Sequence, residues 1–235
     1  MKTAIVTGAT KGIGLATARM LLKEGYHVVV TYAHDSASAE RCREELSSIS
    51  SNFTIVRADQ SDKASMREFV EYIKGEYTSI EAIVCNAGTT LRCPFEEITD
   101  EDWERMMQVN LNSNLYLIRD LNKMIAPNSR IIFIGSLMGV YPHGTSLAYG
   151  VTKSALHALA LNLVKCFEGT NTTVNAIAPG FVETEWQASK PQQIRDNIVA
   201  KSAIKRFATT DEVAEAVRFC INNAFVNGSI IEVSG

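Results

Sequence analysis

No run of apolar residues in the chain approaches the ~20 needed to cross a bilayer, and the opening MKTAIVTGAT holds no apolar stretch of signal-peptide length. The expectation is a soluble protein of the cytoplasm. Basic residues are in short supply as well: 23 Lys and Arg stand against 26 Asp and Glu, for a net charge of -3. That balance argues against a general nucleic-acid surface or a polybasic membrane anchor, and leaves a small molecule or another protein as the expected partner. The cysteines (Cys42, Cys85, Cys93, Cys166 and Cys220) are scattered, with no Cys-x-x-Cys and no histidine at ligand spacing. Neither a disulfide framework nor a metal site is therefore expected, and the thiols read as reduced. Linkers, low-complexity tracts and internal repeats are also lacking. With 46% hydrophobic residues among 235, the chain can fill one sizeable core, and residues 1–235 read as a single domain.

What is present is alternation. Short β-rich runs stand at TAIVT (3–7), HVVVTY (27–32), FTIVRA (53–58), AIVC (82–85), RIIFIG (130–135), TVNAIA (173–178) and SIIEV (229–233). Several are continuously apolar, as parallel strands covered on both faces must be. Between them the pattern predicts helices near 13–24, 37–49, 63–76, 100–125, 149–168 and 211–222. Gly25, Gly75 and Gly169 mark expected helix ends, and Pro127 follows the fourth. Such repetition predicts an α/β fold: one doubly wound, Rossmann-like domain with a seven-stranded parallel sheet and helices on both faces. Sheets of this kind bind ligands at the carboxyl ends of their strands, so polar residues there carry the most weight.

TGATKGIG (7–14) follows the first strand and opens the first helix. Gly8 permits a tight turn, Gly12 lets the backbone approach a ligand, and Gly14 allows close helix–strand packing. The free N–H groups and dipole at the helix start would face a pyrophosphate. After the second strand the chain reads Thr31, Tyr32, Ala33, His34, with no carboxylate directly at the strand end to bind a ribose 2′-hydroxyl. Lys11 is placed to meet a 2′-phosphate, so NADPH (NADP+ when oxidised) is expected over NADH; Asp35 counts against this, and Lys11 as a plain solvated turn residue is the alternative.

Other strand ends are also polar: Asp59 closes the third, Asn86-Ala87-Gly88 the fourth, Ser136 the fifth, and APGFVET (178–184) follows the sixth. Singly, these could be a helix cap, a turn and a backbone-bonded hydroxyl. Within AYGVTKSALHALALNLVKCF (148–167), Tyr149 and Lys153 lie four apart on one helical face, so the ammonium can sit beneath the phenol. A nearby cation favours phenolate, which predicts a lowered Tyr149 pKa; each unit corresponds to about 1.36 kcal/mol. Ser136, from the neighbouring strand end, could hydrogen-bond a substrate oxygen. The bland alternative packs the Tyr149 ring at the helix start and sends Lys153 to solvent.

Together, TGATKGIG, Asp59, NAG at 86–88, Asn110, Ser136, YGVTK and NAIAPGFVET (175–184) make the chain resemble the short-chain dehydrogenase/reductase family over nearly its whole length. Within it, the chain looks most like 3-oxoacyl-(acyl carrier protein) reductases. The resemblance implies catalytic roles for Ser136, Tyr149 and Lys153, with Lys153 also on the nicotinamide ribose and Asn110 holding a proton-relaying water. It implies a cofactor cradle of Gly8, Thr10, Lys11, Gly12, Ile13 and Gly14, with Tyr32 and His34 at the second strand end. Asp59 and the backbone of Gln60 would hold the adenine, and Asn86, Ala87 and Gly88 would line the nicotinamide ribose. Pro179, Gly180, Val182 and Thr184 would meet the nicotinamide end. Three departures are Cys85 before Asn86, Gln60 at a usually apolar place, and the closing EVSG, which suggests a trimmed end.

Residues 183–209, with Trp186 and Pro191, are expected to cover the substrate, and His143 and Ser146 are candidates for the pocket wall. Lys201, Lys205 and Arg206 are either a solvated face or a surface for an acidic acyl carrier protein. Helix 149–168 is apolar on nearly every side, which predicts burial against a second subunit, and the resemblance implies a homotetramer (or homodimer). The expected activity is reduction of a carbonyl, most plausibly of a 3-oxoacyl thioester. A sugar, polyol or steroid alcohol is the within-class alternative, and a silent NADP(H)-binding sensor or scaffold is the alternative outside it.

Overall fold

A computed structural model describes all 235 residues. Seven parallel strands form one sheet in the order β3-β2-β1-β4-β5-β6-β7: β1 Thr3–Val6, β2 His27–Tyr32, β3 Phe53–Arg57, β4 Ile80–Cys85, β5 Ile125–Ile134, β6 Thr173–Pro179 and β7 Ile230–Val233. Alternation along each strand sends side chains to opposite faces. Ala4, Val6, Val28, Val30, Val84 and Ile132 pack on one side with α1 (Gly12–Lys23) and α9 (Thr210–Asn222). Ile5, Val29, Ile83, Ile131 and Phe133 pack on the other with α3 (Lys63–Glu76), α5 (Ser113–Leu121) and α6 (Leu147–Cys166). The remaining helices are α2 (Ser36–Ser47), α4 (Asp100–Met107), α7 (Glu185–Ala188) and α8 (Gln192–Lys201). Strand order reverses between β1 and β4, where the glycine turn and the end of β4 meet. No helix is long and apolar enough to cross a membrane.

Two local expectations are corrected. The helix predicted over 100–125 is α4 and α5 joined by a π-helical turn at Gln108–Asn112, and it gives way to a 3-10 turn at Asn122–Met124. A wide turn frees carbonyls, and here side chains take them: Ser113 Oγ donates to the Val109 carbonyl (2.9 Å) and Asn114 Nδ2 to the Asn110 carbonyl (2.9 Å). Pro127 lies inside β5, which starts five residues before the apolar run; its pairing with β4 shifts register between Ile80 and Ala82, where an irregular ladder tolerates a missing N–H. As expected of a helix on one sheet, α6 buries one face in the single chain. Leu156, Ala160 and Leu163 face the sheet, while Val151 (42%) and Leu161 (43%) remain exposed, because one sheet covers one helical face.

Candidate active site

The glycine turn is built from close contacts that exclude side chains. Gly8 has φ +60°, and a Cβ there would stand 2.8 Å from Ala87 Cα; at Gly14 it would meet Ala9 Cα and the Gly8 carbonyl at 2.7 Å. No side chain caps the start of α1, so its first N–H groups are free for an anion. The turn is tied to its neighbours: Gly8 N–H donates to Thr31 Oγ1 (3.1 Å), and Asn86 and Ala87 N–H both donate to Thr7 Oγ1 (3.0 Å each). The Asn86 side chain also ties into the turn. Its Nδ2 donates to the Thr7 and Gly8 carbonyls at 2.9 Å, stitching β4 to the turn. Thr10 is buried, Ile13 packs on the core, and Gly12 (φ +59°) faces Thr184, whose Cγ2 would be 3.6 Å from an added Cβ. These open backbone surfaces fit a dinucleotide pyrophosphate.

At the end of β2, Tyr32 is half-buried and exposed His34 reaches Asp59 Oδ2 from its Nε2 (2.8 Å). Burial pushes the Asp59 carboxyl up, but the Ser61 hydroxyl and amide and the neighbouring His34 outweigh it and hold the group below its ordinary value. Asp59 does not cap α3; Asp62 does, accepting from Ala64 N–H. Gln60 is buried because its side chain turns inward, donating to Ser113 Oγ (2.8 Å) and Asn114 Oδ1 (3.1 Å), and its carbonyl accepts from Gln108 Nε2 (3.1 Å). Lys11 is no free cation: Nζ lies 3.1 Å from Asp35 and 2.8 Å from Glu185, and the bond to Glu185, then that to Asp35, raises its pKa. Asp35 is occupied as the cap of α2, accepting from Ser38 N–H and Oγ.

Ser136 stands two residues past the end of β5 and Tyr149 in the first turn of α6; Ser136 Oγ accepts from Met138 N–H (3.2 Å) and lies near enough to the phenol to favour its ionised form. Lys153 is 4% exposed, so the solvent-directed alternative is not what the chain adopts. Its Nζ donates to the Ile134 carbonyl (2.8 Å) and lies 5.7 Å from the Tyr149 ring centre. A Cβ on Gly88 would stand 3.5 Å from that Nζ and 3.2 Å from Asn110 Oδ1, which places Gly88, Asn110 and Lys153 side by side. Asn110 is fully buried and fully committed: Oδ1 accepts from Thr89 N–H (2.8 Å), and Nδ2 donates to the Thr89 carbonyl and Thr152 Oγ1 (3.0 Å each). Both amide protons are used, and one lone pair of Oδ1 remains.

The electrostatics reverse one expectation. Burial raises the Tyr149 phenol above its usual value, opposed only by the Ser136 bond, and burial brings Lys153 down to about 8. In the chain itself Tyr149 is a neutral phenol, the form that can donate a proton. Cys85, fully buried behind Lys153, is an inert thiol pushed up to about 12. Toward the sixth strand, Gly180 N–H donates to the Val233 carbonyl (2.9 Å) just past buried Pro179, and Val182 bridges Ala208. Residues 183–207 thus form an excursion closed at its base, whose helices α7 and α8 bury no residue. Of the loop residues, His143 is exposed and Ser146 is buried as the residue before α6.

One functional neighbour escaped the sequence reading. His157, two turns after Tyr149 on the same face, is 4% exposed, and its Nε2 accepts from the Ser136 N–H (3.4 Å). Gly135 makes room for the ring, since a Cβ there would come within 2.0 Å of Nε2. The signal was the pairing of Gly135 with a helical histidine at i+8 from Tyr149, meaningful only once β5 and α6 are docked. Burial, then the charge of Lys153, lowers His157 to about 4. The unfolded chain, near 6.5, therefore binds the extra proton first, so this contribution is complete above pH ~6.5 and is lost as pH falls toward ~4. Urea unfolding should show His157→Gln losing up to roughly 3 kcal/mol less than the wild type across that window. Equal pH slopes for the two proteins would contradict it.

The fold and this site define a class, an oxidoreductase built around a dinucleotide. Residues 2–195 match the short chain dehydrogenase family. The chain is 32% identical over 244 residues to a 2-dehydro-3-deoxy-D-gluconate 5-dehydrogenase of Pseudoalteromonas atlantica, covering 100% of this chain and 94% of that protein. It is 30% identical over 239 residues to the 3-oxoacyl-[acyl-carrier-protein] reductase of Escherichia coli, covering 100% and 96%. Among solved structures, an angucycline C-6 ketoreductase with bound NADP superposes with TM-score 0.94 at 27% identity, covering 100% of this chain and 94% of that one. The chain belongs to the short chain dehydrogenase family and is an oxidoreductase that uses a nicotinamide cofactor.

Proposed function

We propose that the protein is an NADPH-dependent carbonyl reductase acting on a 3-oxoacyl thioester. The observation that carries the reductive direction is the Tyr149 phenol beside Ser136, which burial keeps protonated. A bound reduced nicotinamide supplies the hydride. Gly88, the α1 N-terminus and Thr184 would hold that group against the end of β5. Ser136 Oγ and the Tyr149 hydroxyl bracket the substrate oxygen, and Tyr149 gives its proton to the developing alkoxide. The Lys153 ammonium then lies where it stabilises the phenolate left behind, anchored by the Ile134 carbonyl. His157 holds the Ser136 backbone from below.

Support for the thioester comes from the acyl carrier protein reductase among the relatives; the gluconate dehydrogenase supports a sugar acid as the second reading. Arg206 is paired with Glu212, and Lys205 Nζ donates to the Ala200 carbonyl (2.8 Å), which favours the solvated-face reading of that cluster over a carrier-protein surface. The NADPH preference rests on Lys11 at the start of α1, whose ammonium reaches Asp35 beyond β2 and would exchange Glu185 for a 2′-phosphate. Exposed Leu115, Val151 and Leu161 on α5 and α6 support self-association through that face, which sedimentation would read as a dimer or tetramer mass.

NADPH should bind more tightly than NADH, and Lys11→Ala should weaken NADPH by roughly 10-fold or more while sparing NADH, as loss of a charge-assisted phosphate contact requires. NADPH should also be oxidised in a panel of acetoacetyl thioesters, ketones and sugar acids. Binding without turnover across the panel would favour a sensor, and tighter NADH binding would defeat the cofactor assignment.

A further inference from the structure

Lys11 is shared by two carboxylates from distant parts of the fold. Asp35 stands beyond β2, 3.1 Å from the ammonium, and Glu185 opens α7, 2.8 Å away. In the sheet, β4 and β5 lie between β1, which feeds the glycine turn, and β6, which feeds α7. At ~4.8 Å per strand, about 14 Å of sheet edge separates the two segments at their bases. They meet above it: besides the ion pair, Thr184 Cγ2 would stand 3.6 Å from a Cβ on Gly12. The contact therefore spans the carboxyl ends of β4 and β5, which lead to Gly88 and Ser136, and ties the 183–207 excursion to the turn that fits a pyrophosphate.

The two counter-ions are not equally replaceable. One ammonium between two carboxylates leaves the cluster net negative, so a phosphate dianion approaching Lys11 is repelled until one carboxylate leaves. Asp35 is fixed, because it caps α2 by accepting from Ser38 N–H (2.9 Å) and Oγ (2.7 Å). Glu185 has Lys11 as its sole charged partner, and it sits on a four-residue helix that buries nothing. Its side chain is 62% exposed and that of Lys11 44%, which leaves their contact open to a ligand. Exposed pairs of this kind are weak, so an incoming phosphate displaces the carboxylate at small cost.

We propose that Glu185 is a cofactor-specificity residue: it is the counter-ion that the 2′-phosphate of NADPH replaces on Lys11, and its release frees α7 from the glycine turn. NADH, with a hydroxyl at that place, leaves the Lys11–Glu185 bridge closed. One side chain thereby links the identity of the cofactor to the segment that follows β6. The inference rests on the NADPH reading.

Dissociation constants for NADPH and NADH, read from the fluorescence of the reduced nicotinamide, test this in the wild type, E185Q and E183Q. E185Q should bind NADPH roughly 5-fold more tightly and NADH within about 2-fold of the wild type, since NADPH alone has to displace the carboxylate. E183Q removes the same charge two residues away, from a side chain paired with Arg195, and should leave both constants within about 2-fold. Trp186, next to Glu185 and 52% exposed, reports the release of α7. In W103F, where Trp186 is the single tryptophan, adenosine 2′,5′-bisphosphate should increase its quenching by acrylamide and adenosine 5′-phosphate should not. An E185Q affinity for NADPH within about 2-fold of the wild type, an equal gain for NADH or in E183Q, or quenching that does not distinguish the two nucleotides overturns the inference and leaves the NADPH preference standing. Binding of NADH by the wild type as tightly as NADPH, or more so, removes that preference, and this inference with it.

Discussion

Tyr149→Phe should lower kcat by roughly 10³-fold, the span over which a positioned general acid contributes, with NADPH affinity changed by less than a few-fold. In the proposed mechanism the phenol is the proton donor, and removing one oxygen leaves the ring and its packing in place. Lys153 Nζ, held by the Ile134 carbonyl, stands 5.7 Å from the Tyr149 ring centre and is set to stabilise charge on that ring. Rapid-mixing measurement of a single turnover, with cofactor binding followed by fluorescence, separates chemistry from binding. A Phe variant that keeps a tenth of the native rate would show that another group supplies the proton.

Gly14→Ala should cost at least about 100-fold in cofactor affinity and roughly 1–3 kcal/mol of stability, the usual penalty of forcing atoms into a filled space. Its Cβ would stand 2.7 Å from the Gly8 carbonyl and from Ala9 Cα, and 2.5 Å from Asn86 Nδ2. Backbone atoms cannot step aside as a flexible side chain can, so the turn must open and α1 must move from the pyrophosphate. Gly75→Ala is the control, since a Cβ there meets nothing within 4 Å. Thermal unfolding and titration with NADPH report both effects. If Gly14→Ala binds the cofactor normally, the turn is not the phosphate cradle.

Much of this site is legible in short stretches of chain. The glycine turn, the strand-end polar groups and the Tyr149/Lys153 spacing are local patterns whose geometry follows from a strand feeding a helix and from the pitch of that helix. Chain stretches misread from sequence are those in which local rules met distant partners. A helix over 100–125 was the natural reading of its periodicity, yet Asn110 is drawn toward Thr89 and Thr152, and the helix widens to allow it. Pro127 looked like a terminator; pairing with β4 carries the strand through it.

Charge was the least legible property. Lys153 beneath Tyr149 predicts a lowered phenol pKa, but removal from water is the largest influence on both groups, raising the phenol and lowering the ammonium. Lys11 looked free until α7 brought Glu185 to it from across the sheet. The sequence by itself determined the parallel α/β architecture, the place of the ligand edge, and the residue types gathered there, because apolar runs, glycine turns and helical pitch act within a few residues. Only the tertiary structure decided the desolvation of Tyr149 and Lys153 and the seating of His157 under Ser136. Burial and proximity between segments tens of residues apart set those, and no local pattern encodes either.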